Sequence, residues 1–229
     1  MKIFNLGLDL EPGKQVYKSS CFEKLVEKFS PKKSTPYPVE FVDSDIDQSE
    51  AIVLAESKRL DLIVTDLEKI ETRLSRCESE AEKLLFKKAQ VALEAEELLC
   101  DLNLSDSEKT LLKTLPLLTF KPCLVKNEVA DINSLIGEVI QKSGLILFFT
   151  AGKKEVHAWS LKKGELILEA AGKIHSDLKR GFIKGEVVNC KDLDSFFNLA
   201  EARSRGFVKL VDRDYVVEEN DIIEIRFNV

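Results

Sequence analysis

The chain has 229 residues, of which 44% are hydrophobic and 32% charged, with only 10 Gly and 6 Pro. This composition excludes disordered, collagenous and low-complexity chains, and the length predicts two compact units. No run of 18 uncharged apolar residues occurs, and Asp9 and Glu11 interrupt the N-terminus before an apolar signal core could form. We therefore expect a soluble protein that neither spans a membrane nor carries a cleaved secretion signal.

The formal net charge of −6 is unevenly distributed along the chain. Residues 145–229 carry 14 basic and 14 acidic side chains, whereas residues 1–144 carry 20 basic and 26 acidic ones. An acidic chain is a poor candidate for bulk nucleic-acid binding, so we expect no DNA partner. A local basic face on the neutral C-terminal part is compatible with this distribution.

The cysteines are odd in number, far apart and without a Cys-x-x-Cys pair, which argues against a disulfide framework and a zinc site. They are Cys21, Cys77, Cys100, Cys123 and Cys190. We therefore expect free thiols and a reducing, cytoplasmic location.

Short strands and turns are predicted for the first 57 residues. In chain order these elements are a strand at 2–8, a helix at 21–29, a Pro/Lys/Ser-rich loop at 31–38, and strands at 39–42 and 51–55.

Two antiparallel helices, at roughly 58–79 and 81–100, are predicted next, because apolar residues recur every three or four positions. The apolar positions of the first helix are Leu60, Ile63, Leu67, Ile70, Leu74 and Cys77, and those of the second are Ala81, Leu84, Leu85, Ala92, Ala95 and Leu99. Ser105 and Glu108 then form a capping-box pattern that begins a short helix, which ends at Pro116.

The remaining chain predicts a strand at 122–125, a helix at 132–142 and then a compact unit over 145–229. In that unit we expect strands at 145–150, 155–159 and 185–188, helices at 166–178 and 195–206, and final strands at 207–210, 215–217 and 222–229. The fold class is therefore α+β: a truncated α/β, P-loop-like remnant with an antiparallel helical hairpin, followed by a β-grasp (ubiquitin-like) unit.

The two histidines are poor candidates for chemistry, since neither has a second His or a Cys at metal-ligand spacing. His157 is expected in a strand beside Trp159, and His175 at the end of a helix. We therefore expect no catalytic residue and no metal ligand among them, and the many carboxylates do not single out an acid–base pair.

The segment from Gly7 to Gln15 resembles a phosphate-binding loop in which the required residues have changed. In G-x-x-x-x-G-K-[ST], backbone N–H groups surround the phosphates, Lys contacts the β/γ oxygens and the hydroxyl binds Mg²⁺. Here five residues separate Gly7 from Gly13, Gln15 replaces the hydroxyl after Lys14, and acidic residues lie inside the loop.

Four blocks near the C-terminus resemble, in the same order, the C-terminal TGS domain of the YchF-type Obg-like ATPases. They are 148–159 (FFTAGKKEVHAW), 170–177 (AAGKIHSD), 180–187 (RGFIKGEV), and 214–217 (DYVV) with the terminal 226–229 (RFNV). Residues 61–68 (DLIVTDLE) and 117–122 (LLTFKP) are similar to that family's helical insertion and to its return to the G domain. The resemblance covers about 58–229 well and 1–57 weakly.

The resemblance implies four parts. These are a reduced G-domain-like segment at 1–57, a helical (coiled-coil-like) insertion at 58–114, a returning βα unit at 115–144, and the TGS β-grasp domain at 145–229.

All three nucleotide signatures that the resemblance implies are altered here. The remnant nucleotide-binding residues would be Gly7, Gly13, Lys14 and Asp43. Ile46 replaces the glycine of the Asp-x-x-Gly motif, and the Asn-x-x-Glu motif would fall near 127–128 with altered spacing. Phosphoryl transfer depends on Mg²⁺ and on positioning, so these losses predict a protein without catalysis and without a resident cofactor.

The first functional hypothesis is a non-catalytic binding module for the ribosome or structured RNA, the partner that the resemblance implies. The candidate RNA contacts are Lys153, Lys154, Lys162, Lys163, Lys173, Lys179, Arg180 and Lys184, because clustered cations release counterions from phosphate. Lys153–Lys154 and Lys162–Lys163 flank one predicted hairpin and are expected to share an edge. For each residue the alternative is an ordinary solvated side chain.

Two alternatives stay open. One is a weak ATP or GTP hydrolase with Mg²⁺, in which Lys14 and Asp43 still act. The other is a protein-interaction scaffold, in which the apolar seam of the first helix pairs with a helix of another chain.

Overall fold

A computed structural model describes residues 1–228, so Val229 of the predicted terminal strand lies outside the described residues. Contacts divide the chain into two units. The first comprises residues 1–15 and 39–143, and the second residues 16–38 and the chain from Gly144 onward. The predicted first segment, 1–57, therefore does not pack as one piece, because its central part belongs to the second unit.

The strands are β1 Lys2–Leu6, β2 Gly13–Tyr17, β3 Lys33–Thr35, β4 Tyr37–Val42, β5 Ala51–Ala55, β6 Cys123–Lys126, β7 Leu145–Ala151, β8 Glu155–Lys162, β9 Phe182–Asn189, β10 Lys209–Val211 and β11 Asp221–Phe227. The helices are α1 Ser20–Phe29, α2 Arg59–Arg76, α3 Glu80–Glu94, α4 Asp106–Leu112, α5 Ile132–Lys142, α6 Ile167–Ile174, α7 Ser176–Arg180 and α8 Leu199–Ser204. Short 3₁₀ turns lie between several of them.

The first unit is built on a sheet with the strand order β2-β4-β1-β5-β6. The pairs β4–β1, β1–β5 and β5–β6 are parallel. Residues 51–54 of β5 are all fully buried, as expected for a parallel strand that is covered on both faces. Both faces of this central strand therefore contribute to the core.

Helices α2 and α3 are joined by three residues and pack against each other. Ile63 and Ile70 of α2 are buried with Leu85 and Phe86 of α3 in the core of this unit. Leu84 is 70% exposed, so the apolar pattern placed it on the wrong face of α3. The α4 capping box between Ser105 and Glu108 is present, as the sequence predicts.

A buried carboxylate connects α2 to the segment that follows α4. Asp66 is fully buried and accepts hydrogen bonds from the backbone N–H groups of Leu118 (3.0 Å) and Thr119 (2.7 Å) and from the Thr119 hydroxyl (2.7 Å). Lys69 donates to it at 3.2 Å. These bonds satisfy polar groups that would otherwise be buried without partners.

The second unit is built on a sheet with the order β10-β9-β11-β7-β8-β3. The β7–β8 hairpin and the pairs β9–β10 and β9–β11 are antiparallel, whereas β11 runs parallel to β7. Helix α6 buries Ile167, Ala170 and Ala171 in a core with Phe148 and Val187. The sheet is therefore mixed, and α6 covers one of its faces.

Residues 16–38 complete this second unit. Strand β3 pairs in parallel with β8, from Lys33 opposite Glu155 to Thr35 opposite His157, and α1 packs on β7 and β8. Phe22 of α1 lies against Phe149, with ring centroids 6.5 Å apart.

Cys21 and Cys190 form a disulfide between α1 and the turn after β9. The expectation that all five cysteines are free is wrong for this pair, which is separated by 169 residues. Spacing along the chain does not reveal such a long-range approach.

The structure corrects four other predicted elements. The predicted loop 31–38 contains β3, and 215–217 forms only an isolated bridge through Val216. The predicted helix at 166–178 is divided at His175, whose φ of −165° is extended. The predicted helix at 195–206 is helical only from Leu199 to Ser204.

None of the helices in residues 1–228 is both long and apolar enough to cross a membrane.

We predict that Asp66→Ala lowers the unfolding free energy of the first unit by about 3 kcal/mol, since it leaves two buried N–H groups unpaired. Urea unfolding of the whole chain measures this. Asp61→Ala, which removes an exposed ion pair with Lys58, is the matched control and should change stability by less than about 0.5 kcal/mol. Equal effects of the two variants would refute the anchoring role of Asp66.

Candidate functional site

The loop after β1 is folded by its own side chains. Asn5 donates from Nδ2 to the carbonyl oxygens of Leu8 (3.0 Å) and Leu10 (3.2 Å), and it accepts from the Leu8 N–H (3.3 Å). Gly7 has a φ of +82°, a conformation that favours glycine. Asn5 is a residue that the sequence analysis missed, and its bonds organise this turn without a ligand.

Lys14, which the resemblance places in a phosphate loop, lies in strand β2. A functional loop leads into a helix whose N-terminal N–H groups face the phosphate. Here the chain extends from Gly13 to Tyr17 as a strand, and the exposed Lys14 lies within it. The first helix after this strand, α1, belongs to the second unit.

The space in front of Gly7 is occupied by Lys58. A Cβ atom at Gly7 would lie 2.8 Å from Lys58 Cγ, so the aliphatic stem of Lys58 covers this glycine. The Lys58 ammonium is paired with Asp61 at 3.0 Å. The side chain that covers Gly7 therefore has its charge directed to a carboxylate of the protein.

Asp43 is exposed and directly follows β4. Since β4 and β1 are parallel neighbours, Asp43 and Gly7 both follow the carboxyl ends of adjacent strands. Nucleotides bind at this edge in open α/β sheets. The structure therefore brings Gly7 and Asp43 to one edge, whereas Lys14 is in β2.

The loop that follows Asp43 is held by a lysine. The Lys121 ammonium donates to the carbonyl oxygens of Ile46 (2.9 Å), Asp47 (2.7 Å) and Ser49 (2.7 Å). Burial lowers the pKa of Lys121 from its usual value. The segment aligned with the Asp-x-x-Gly signature is thus fixed by a cation of the protein itself.

The two predicted lysine pairs of the β7–β8 hairpin do not share an edge. Lys153 and Lys154 form the turn, whereas Lys162 lies opposite Leu145 at the far end of β8 and Lys163 follows it. At about 3.4 Å per residue, the strand separates the pairs by about 27 Å. The prediction of one shared basic edge is wrong, because one pair precedes β8 and the other lies at its far end.

Three of the other predicted cations are neutralised locally. Lys179 pairs with Glu169 (2.7 Å), Arg180 with Asp177 (3.0 Å) and Lys184 with Asp212 (2.5 Å). Lys173 is exposed, as are Lys162 and Lys163.

The structure places two further lysines beside the hairpin turn. The backbone N–H groups of Lys32 and Lys33 donate to the carbonyl oxygens of Lys153 (3.1 Å) and Lys154 (3.2 Å). We call Lys32, Lys33, Lys153 and Lys154 the hairpin lysine cluster. All four are exposed, and within residues 1–228 only Lys33 has an ion-pair partner, Glu155 at 2.8 Å. In the sequence, the run PKK at 31–33 is the only sign of a basic segment here, and it does not indicate that this segment lies beside Lys153 and Lys154.

Glu186 forms the most buried ion pairs of the second unit, with a side chain 7% exposed between Arg203 and Arg226. Burial raises the pKa of Glu186, but hydrogen bonds and charge from the two arginines outweigh it, so the pKa is lowered. Arg203 also pairs with Glu224. This network joins α8 to β9 and β11.

The histidines occupy structural positions. His157 stacks on Trp159 with ring centroids 3.8 Å apart, and burial lowers its pKa. His175 accepts from the Asp177 N–H at 3.1 Å. Among residues 1–228, no group of three or more His, Cys, Asp or Glu side chains could hold a metal ion.

Comparison with known proteins decides the family. The YchF-GTPase_C model, described as a protein of unknown function (DUF933), matches residues 145–228. The ribosome-binding ATPase YchF of Bacillus subtilis is 32% identical over 241 aligned positions, covering 76% of this chain and 66% of that protein. This chain belongs to the YchF-type family.

Other YchF-type proteins match mainly shorter regions. The ribosome-binding ATPase YchF of Mycoplasma genitalium is 41% identical over 44% of this chain and 27% of that protein. Obg-like ATPase 1 of Gallus gallus is 43% identical over 35% of this chain and 20% of that protein. The chain thus corresponds to only part of the curated relatives that it matches.

The fold agrees with a solved YchF structure. The Schizosaccharomyces pombe YchF GTPase superimposes with a TM-score of 0.80 over 96% of this chain and 88% of that chain, at 18% identity. This match supports the mixed α/β architecture with two sheets.

We predict that the second unit loses stability as pH falls through the lowered pKa of Glu186. The carboxylate stabilises the folded state above its unfolded pKa of about 4.3, and protonation removes that contribution at lower pH. Glu186→Gln should lower stability at neutral pH and flatten its decline as the pH falls below the unfolded pKa of glutamate. Urea unfolding at several pH values measures this, with exposed Asp214→Asn as control. An unchanged pH slope in Glu186→Gln would disprove this assignment.

Proposed function

We propose that this YchF-type chain binds the ribosome through RNA contacts of its second unit and does not hydrolyse nucleotide. In this proposal the second unit is the TGS β-grasp domain, and α2 with α3 is the antiparallel helical insertion of the family. Its setting is the cytoplasm, where ribosomes are found. The names of the Bacillus and Mycoplasma relatives give the ribosome as partner of those proteins.

The observation that carries the proposal is the hairpin lysine cluster. Two separate chain segments place four exposed lysines together through backbone hydrogen bonds, and among residues 1–228 only one carboxylate, Glu155, pairs with them. Phosphate groups of structured RNA fit such a site, because each lysine that contacts phosphate releases a bound counterion. The overall charge of −6 restricts this attraction to the local surface.

Three features of the first unit support a degenerate nucleotide site. Lys14 lies in a strand, Lys58 covers Gly7, and Lys121 holds the loop after Asp43. Gln15 also supplies no hydroxyl for Mg²⁺. Since phosphoryl transfer requires a positioned metal and positioned phosphates, such a loop disfavours both nucleotide binding and catalysis.

The alternative is a weak ATP or GTP site with Mg²⁺, and one observation favours it. Gly7 and Asp43 lie at the carboxyl edge of a parallel sheet, the usual position for a nucleotide. The relatives are named ATPases. A scaffold role through the α2 seam is less favoured, because Ile63 and Ile70 are already buried within the first unit.

We predict that Lys153→Glu with Lys154→Glu weakens ribosome binding at least about tenfold and lowers the salt dependence of binding, since two phosphate contacts are lost. Co-sedimentation with purified ribosomes at several salt concentrations measures both effects. Lys162→Glu with Lys163→Glu makes the same charge change at the far end of β8 and should leave binding within about twofold. Equal weakening by both double variants would reject the cluster as the contact.

We predict no saturable heat on titration of the chain with ATP or GTP, each with Mg²⁺, up to millimolar nucleotide. The experiment is isothermal calorimetry on the whole chain and on Lys14→Ala, with exposed Lys113→Ala as control. Micromolar binding that Lys14→Ala abolishes and Lys113→Ala preserves would overturn the degenerate site and establish the alternative.

A further inference from the structure

The sheet of the second unit has a notch where β7 ends. Strands β11 and β7 are parallel with Ile222 opposite Phe149, so the register takes Glu224 to the level of Ala151, the last residue of β7. Strand β11 continues to Phe227, whereas its neighbour β7 ends at Ala151 and the backbone turns at Gly152 into the β7–β8 hairpin. On that side no strand within residues 1–228 pairs with Ile225–Phe227.

The notch opens into a groove of about 490 Å³ with an apolar floor. Ile223 is buried there, and Ile225, Ile174 and Leu178 are half-buried, which leaves part of each side chain uncovered. Phe227, the last residue of β11, is 49% exposed.

The charge along this groove is positive. Two carboxylates line it, but Glu224 is paired with Arg203 and Glu155 with Lys33. Lys153 and Lys154 also line it and have no ion-pair partner among residues 1–228. The unpaired charge at the groove therefore comes from these two lysines.

We propose that this groove binds an extended acidic peptide of a partner protein, one that alternates apolar side chains with carboxylates. The peptide adds a short strand beside Ile225–Phe227 and places its apolar side chains on Ile174, Leu178 and Ile225. Its carboxylates meet Lys153 and Lys154. Strand addition supplies main-chain hydrogen bonds, and alternate side chains supply specificity.

RNA fits this groove less well than a peptide. A free strand edge offers alternating N–H and C=O groups that match a peptide backbone and not a sugar-phosphate chain. The floor is aliphatic, whereas single-stranded RNA is held mainly by aromatic stacking. The groove shares Lys153 and Lys154 with the proposed ribosome contact, but the two tests are separate, because the peptide assay uses neither ribosome nor RNA as the primary ligand.

The test uses a short, end-blocked peptide of alternating Leu and Glu, with fluorescence-detected titration of the whole chain. We expect saturable binding that Leu178→Asp weakens at least about tenfold, because it places a repelling charge on the apolar floor. Leu210→Asp makes the same change at an exposed residue of the edge strand β10, which β9 separates from β11, and should leave binding unchanged. Urea unfolding confirms that both variants are folded.

Amide hydrogen exchange tests the docking mode. We expect the peptide to slow exchange at amides of Ile225–Phe227, as an added strand requires. No saturation up to millimolar peptide would overturn the proposal, as would equal affinity for a matching Leu/Lys peptide. If single-stranded oligouridylate displaces the peptide and slows exchange at the same amides, the groove is an RNA site. None of these results would decide whether the chain binds the ribosome, because that test measures co-sedimentation of charge-reversal variants with ribosomes.

Discussion

The pairing of β3 with β8 determines which residues belong to each unit, because it fixes residues 16–38 in the second one. Backbone hydrogen bonds over Lys33–Thr35 attach residues 16–38 to the second sheet, and Glu155 strengthens the attachment by accepting from Thr35 (2.7 Å) and pairing with Lys33. Phe22 packs from α1 onto Phe149 of the same unit. Because this segment is committed to the second unit, the chain leaves the first unit directly after Gln15 and returns at Val39.

That path has opposite effects on the two candidate sites. In the first unit the residues from Gly13 to Tyr17 form strand β2 and not a helix, so no helix N-terminus directly follows Lys14. In the second unit it brings Lys32 and Lys33 against the hairpin turn. One chain path thus places Lys14 in a strand of the first sheet and brings four lysines together beside the second.

The sequence predicts the elements whose pattern is local. The buried strand β5 and the amphipathic α5 agree with the structure because apolar periodicity over a few residues specifies each of them. The errors concern long-range or length-dependent features. Neither the Cys21–Cys190 disulfide nor the partner of β3 is encoded in local spacing. The two lysine pairs of the hairpin lie at opposite ends of β8, because a strand of eight residues is too long to bring them together.

The second unit is composed of two chain segments separated by more than a hundred residues, which has a consequence for its synthesis. Residues 16–38 leave the ribosome first, yet the sheet that α1 and β3 complete is made last. During translation the apolar face of α1, including Phe22 and Leu25, therefore lacks the strands that bury it until the rest of the second unit has been made. A fragment beginning at Gly144 would lack α1 and leave Val156 and Phe149 without the helix that packs on their strands. The second unit is therefore a product of the whole chain, assembled only after β11 has emerged.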